Sequence, residues 1–167
     1  MEMEKLNAMD ILLVCGLPGS GKSHFSRTYC NTNGRKRINR KELRRLIYEM
    51  TSFGDAWSEE YFNDHDELLV KHVERKMVEH FLQERLLLLI DNTSVTVESR
   101  QYYANIARQT RRTIGAIFLN VPIKKCLARN GMREDKISEG IIVNLYAALE
   151  LPTKAEGFNE VLVLPDY

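Results

Sequence analysis

The feature that most constrains this chain is Gly16-Leu17-Pro18-Gly19-Ser20-Gly21-Lys22-Ser23, which fits the pattern G-x-x-x-x-G-K-[ST]. It follows the apolar run Ile11 to Cys15 and precedes a segment able to form a helix. Each fixed residue type has its own physical reason. Glycines let the backbone curl so that successive N–H groups point inward at an anion. Gly16, Pro18, Gly19, Ser20 and Gly21 are therefore the candidate phosphate-cradling residues. Lys22 is placed to reach β- and γ-phosphates, and Ser23 to offer its hydroxyl to Mg²⁺. The helix that follows adds the positive end of its dipole. With Gly near 7% of residues, the pattern arises by chance in roughly one per cent of chains this long. The flanking strand and helix make coincidence rarer still. A loop of this kind implies a bound nucleoside phosphate but does not select a reaction, because many functions share it.

Periodicity supplies the frame around the loop. Ile11 to Cys15, Leu86 to Ile90, Ile114 to Leu119 and Val161 to Leu164 read as buried strands, with Arg37 to Asn39 a weaker candidate. Between them the period becomes helical. Leu43, Leu46, Ile47 and Met50 mark one apolar face, and Leu69, Val70, Val73, Met77 and Phe81 mark another on a long helix expected over Ser58 to Glu84. Tyr103, Ile106 and Ala107 indicate a third helix; Ile137, Ile141, Leu145, Ala148 and Leu149 indicate a fourth. Strands alternating with helices predict an α/β fold, a parallel sheet covered on both faces.

Composition narrows the classes. The chain has 167 residues, the length of one ordinary domain, and its net charge is +1, so no whole-molecule field draws it to nucleic acid or membrane. No apolar run, Leu86 to Ile90 included, approaches bilayer-spanning length. Three cysteines without C-x-x-C spacing, and no apolar signal-peptide core in Met1 to Asp10, lead to the expectation of a reduced, cytoplasmic protein away from membranes.

Four further segments fall in a recognisable order: Ile38-Asn39-Arg40-Lys41-Glu42-Leu43-Arg44, Asp91-Asn92-Thr93, Val121-Pro122 followed by Cys126 to Arg133, and Pro152-Thr153 with Glu156-Gly157-Phe158. With the phosphate loop, they make the chain resemble the kinase domain of the polynucleotide 5′-hydroxyl kinases and their small-kinase relatives. The resemblance runs from Ile11 to Leu164. It implies a single P-loop kinase domain over residues 1–167, with the P-loop NTPase three-layer sandwich, about five parallel strands, and an arginine-bearing lid. It implies ATP and Mg²⁺ as cofactors, and γ-phosphate transfer to a hydroxyl, best matched by the 5′-OH end of a nucleic acid. Kinase domains of this kind often adjoin a phosphatase or ligase domain, and the resemblance extends that expectation here.

Residue by residue, the resemblance assigns Arg44 to the acceptor's own phosphate, and Arg129 and Arg133 to the ATP phosphates from the lid. Planar guanidinium groups suit the spread charge of a phosphoryl transition state, and a spacing of four would put both on one helical face. Asp91 ends an apolar strand beside the phosphate loop, where a Mg²⁺ contact belongs, although Asp91-Asn92-Thr93 also suits a turn. The family's catalytic aspartate position is Lys41 here, with Glu42 one residue later. Two other readings therefore stay open: a kinase for a small-molecule, nucleoside or aminoacyl acceptor, and a nucleotide-binding module without efficient catalysis. Seven basic residues between Arg35 and Arg45 read either as an acceptor surface or as a solvated face.

Overall fold

The computed structural model describes residues 2–167. Five strands form one wholly parallel sheet: β1 Ile11–Gly16, β2 Lys36–Ile38, β3 Leu88–Asp91, β4 Ile114–Asn120 and β5 Glu160–Pro165, in the spatial order β2-β3-β1-β4-β5. Every residue of β1 and β3 is buried, which is why these strands are apolar without alternation. Helices cover both faces, as in the P-loop kinase fold: α1 Glu2–Asn7, α2 Lys22–Tyr29, α3 Arg40–Thr51, α4 Asp64–Gln83, α5 Val97–Thr110, α6 Ile123–Gly131 and α7 Glu139–Ala147. None is long and apolar enough to cross a membrane, among the described residues.

The pairing of β1 with β3 is what builds the site. Val14 lies opposite Asp91, and Gly16 N–H donates to the Thr93 carbonyl at 3.0 Å. The phosphate loop and the carboxylate at the end of β3 therefore emerge side by side at the C-terminal edge of the sheet, where ligands bind in open α/β sheets.

Several sequence expectations shift. Helix α4 starts at Asp64, not Ser58, because the Asn63 side chain caps it by accepting from Asp66 N–H at 2.8 Å; Glu59–Tyr61 forms only a 3₁₀ turn. Its buried face is Glu67, Val70, Glu74, Val78 and Leu82, while Leu69 is exposed. Val70, Met77 and Phe81 of the expected face do pack inward, but Leu69 does not, and Glu67 and Glu74, which apolar periodicity passes over, are buried beside them. The apolar stripe of α3 is not a core face either: Leu46 and Met50 are exposed and none of its residues is fully buried. Asn39 is not in a strand but caps α3, accepting from Glu42 N–H at 2.9 Å. Ile137 precedes α7 rather than lying on it.

The segment Pro152 to Phe158 has a structural task. Glu156 holds the wholly buried Arg100 through two hydrogen bonds of 2.8 and 2.9 Å, and Arg100 also donates to the carbonyls of Ser94 and Glu150. This ties α5 to the chain leading into β5.

Candidate active site at the C-terminal edge of the sheet

A cleft of about 1010 Å³ opens over this edge. Its floor is the phosphate loop. Gly19 has φ +83, and a Cβ there would collide with the carbonyl of Cys126 in α6. The glycine at this variable position of the motif thus lets the loop lie against the helix that carries Arg129. Lys22 folds back over the loop, donating to the carbonyls of Gly16 and Leu17 at 2.9 and 2.8 Å. Burial pulls its ammonium down to about 8, against the opposing charge of Asp91.

Arg129 donates to the carbonyls of Gly19 and Ser20, both at 3.4 Å, and to Tyr167 at 3.1 Å. Arg133 also lines the cleft but lies past the end of α6, whose C-cap is Met132. The two arginines therefore do not share a helical face, contrary to the spacing argument; they converge because the chain turns after Gly131. Arg133 is held by Asp135 at 3.0 and 3.1 Å, and the same carboxylate takes Lys41 Nζ at 2.7 Å. Asp135 thus straps the loop after α6 to the start of α3. Burial works against its ionised form, but Lys41 and Arg133 outweigh that and hold its carboxyl below the usual range.

Asp91 is fully buried. Its Oδ2 accepts from Arg37 Nε and Nη2 at 2.9 and 2.6 Å, and its Oδ1 has no hydrogen-bond partner. The oxygens of Asp91 and Ser23 are hard donors of the kind Mg²⁺ takes, and the free Oδ1 leaves room in the carboxylate's shell for a cation, so the residues fit the ion.

On the other wall, Asn39 donates to the Asp91 carbonyl at 2.7 Å, and Arg40 turns inward to Glu74, itself bonded by Asn92 and Tyr103. The Ile38-Asn39-Arg40 and Asp91-Asn92 segments are thus two halves of one joint between α3 and β3. Arg44 lines the cleft with its guanidinium on Glu67 at 2.7 and 3.0 Å and over the Phe62 ring at 5.2 Å.

With this geometry in view, comparison with known proteins is informative. Residues 11–150 match the family described as AAA domain. The chain belongs to that family. An L-seryl-tRNA(Sec) kinase of Methanococcus maripaludis is 27% identical over 143 residues, covering 85% of this chain and 53% of that protein. A bifunctional polynucleotide phosphatase/kinase of Schizosaccharomyces pombe is 24% identical over 167 residues, covering 97% of this chain and 35% of that protein. The chain thus spans about half or less of these relatives. The solved Pnkp1/Rnl/Hen1 RNA repair complex contains a chain superimposing with a TM-score of 0.67 at 22% identity, over 83% of this chain and 43% of that one. At that identity the likeness is one of fold.

Six of the seven basic residues between Arg35 and Arg45 are engaged by protein partners, Lys36 being exposed, so the run is not a free cationic surface. Arg35 is buried against the carbonyls of Asn7, Met9, Asp10 and Leu88. Arg37, Arg40, Lys41, Arg44 and Arg45 each have a carboxylate partner. Sequence reasoning missed Arg37 as the partner of the cleft residues Asp91, Glu42 and Ser23, since it read only as one more charge in that run. Its place on β2 opposite Leu89, two residues before Asp91 and so on the same face of the sheet, was the available signal.

Proposed function

We propose that this chain is an ATP-dependent kinase, moving the γ-phosphate of ATP to a hydroxyl, with the 5′-OH end of a polynucleotide as acceptor. The observation that carries the reading is one cleft lined by Lys22, Ser23, Asp91, Arg129 and Arg133 on one side and by α3 with Arg44 on the other. Such a cleft brings a donor phosphate and a hydroxyl together, and positioning is most of what phosphoryl transfer requires. Gly16 to Ser23 cradle the phosphates. Lys22, Arg129 and Arg133 meet the charge that spreads over the transferring oxygens. Ser23 and Asp91 would hold Mg²⁺, which when bound would neutralise charge on the nucleotide phosphates. Arg44 takes the acceptor's own phosphate by exchanging Glu67 for it.

The proton of the acceptor has no obvious taker on α3. Lys41 is cationic, and the hydrogen bonds from Arg37 hold the Glu42 carboxyl below its ordinary range, making it a weak base. A general base contributes about 10²–10⁴-fold, so the expected outcome is slow but real transfer. The similarity to a seryl-tRNA kinase supports a second reading, an aminoacyl hydroxyl on RNA.

The test is transfer of labelled γ-phosphate from ATP to a panel of 5′-OH DNA and RNA oligonucleotides, seryl-tRNA, nucleosides and small alcohols. Label is expected on oligonucleotide 5′ ends, and its loss in Lys22→Ala. Label only on seryl-tRNA would establish the second reading. Binding of ATP with no acceptor labelled would refute catalysis.

A further inference from the structure

Behind the cleft wall lies a positive charge that neither the phosphate loop nor the lid supplies. Arg37, in β2, has a largely enclosed side chain with 21% exposure. Its guanidinium donates twice to Asp91 Oδ2, at 2.9 and 2.6 Å, and twice to Glu42, at 3.0 and 2.9 Å. Its Nη2 also lies 3.4 Å from Ser23 Oγ. One rigid fork therefore touches both protein groups that face a divalent ion in the proposed function.

We propose that Arg37 is a resident cation held behind the metal-binding end of the cleft, sharing Asp91 with the divalent ion and making metal binding depend on bound nucleotide. The inference rests on the reading of Ser23 and Asp91 as metal-facing residues. An ion approaching the nucleotide-free cleft meets a single carboxylate whose charge the guanidinium already balances. Glu42 offers no second one, being held by Arg37 and by Arg27 at 3.3 Å. Among the described residues, no group of three or more His, Cys, Asp or Glu side chains gathers as a metal site. The ion would also stand beside the fixed charges of Arg37 and Lys22, whose repulsion is poorly screened in an enclosed site. Nucleotide phosphates reverse this balance by adding several negative charges at Lys22. Ser23 and Asp91, whose Oδ1 has no partner, would therefore hold the ion only once nucleotide phosphates are present. Arg37 stays on Oδ2, fixing the carboxylate's orientation as a positioning residue.

The test is protein-bound Mn²⁺ measured by electron paramagnetic resonance, with and without ADP, in the wild type, Arg37→Gln and Arg37→Lys. The wild type is expected to hold Mn²⁺ at least tenfold more tightly with ADP than without. Arg37→Gln uncovers Asp91, so its affinity for Mn²⁺ alone should rise at least tenfold. Arg37→Lys keeps the charge and should match the wild type. Because Asp91 is buried, Arg37→Asn serves as a second neutral variant should Gln unfold the protein. The wild type can overturn the inference unaided, by holding Mn²⁺ as tightly without ADP as with it. Equal or weaker Mn²⁺ binding in the neutral variants overturns it too. Failure of every protein to bind ADP would instead refute the nucleotide-binding reading, while the Mn²⁺-alone measurements would still decide the role of Arg37.

Discussion

Lys22 shows how one buried group couples ligand to pH. Its ammonium is poorly solvated and titrates near 8 in the free protein, below its ordinary 10.5. Nucleotide phosphates would restore the proton. ATP affinity is therefore expected to be level below about pH 8 and to fall as pH rises beyond it, by about tenfold per unit at most. Calorimetric titration checks this, and Lys22→Met should abolish the dependence along with most of the affinity. Fold stability runs the other way. A depressed pKa means that the unfolded chain binds more protons between about pH 8 and 10.5, so Lys22 makes stability rise with pH across that window. Residues such as Lys22 were legible in the sequence because a contiguous motif encodes their environment. Arg37 was not: its role depends on a strand pairing and on the depth of Asp91, and neither can be read from charge alone.

At the scale of elements, the loop after α6 and the start of α3 are tied together. Asp135 joins them, and both ends of its bridge are charges that the proposed chemistry would use, Arg133 for ATP and Lys41 beside the acceptor. Asp135→Asn should release Arg133 to the nucleotide. The expected result is several-fold tighter ATP binding, with the unfolding free energy changed by less than about 1 kcal/mol, since the pair is exposed. Unaltered ATP affinity would mean that Arg133 does not contact the phosphates. The same elements show where patterns mislead. Strands β1, β3 and β4 were evident because burial on both faces leaves continuous apolar runs, and the edge strand β5, only partly buried, because its apolar residues still run unbroken from Val161 to Leu164. Helix α4 was found with only part of its buried face, because Glu67 and Glu74 also point inward, to Arg44 and Arg40, and a hydrophobic period cannot see an ion pair. Helix α3 was found with the wrong burial, its apolar residues Leu46 and Met50 facing solvent.

At the scale of the whole molecule, the charges in the interior and around α3 are paired rather than displayed, and this governs both stability and recognition. The buried pair of Arg100 and Glu156 is the extreme case, with side-chain exposures of 0% and 7%. Arg100→Met strands that carboxylate and two carbonyls, and should cost about 3–5 kcal/mol in urea denaturation while leaving ATP affinity per folded molecule intact. Recognition follows the same logic. The net charge is +1, and the basic run around α3 is matched by Glu42, Glu49, Glu59, Glu67, Glu74 and Asp135. A 5′-OH oligonucleotide should therefore gain little from phosphate contacts beyond its end. For single strands, log K falls with log salt at about 0.7 per neutralised phosphate, so three or fewer contacts predict a slope no steeper than about −2. The remaining affinity must come from the bases. Trp57 lines the cleft, edge-on to Tyr48 at a centroid distance of 5.2 Å. A base stacked on it supplies binding that salt does not screen. Because Trp57 is the only tryptophan in the chain, its fluorescence reports directly on the cleft. Titration with oligonucleotides at several salt concentrations should quench that signal and give the shallow slope together. A steep slope would mean that the ion pairs around α3 open to form a phosphate track, and binding without a fluorescence change would exclude Trp57 from the acceptor's path.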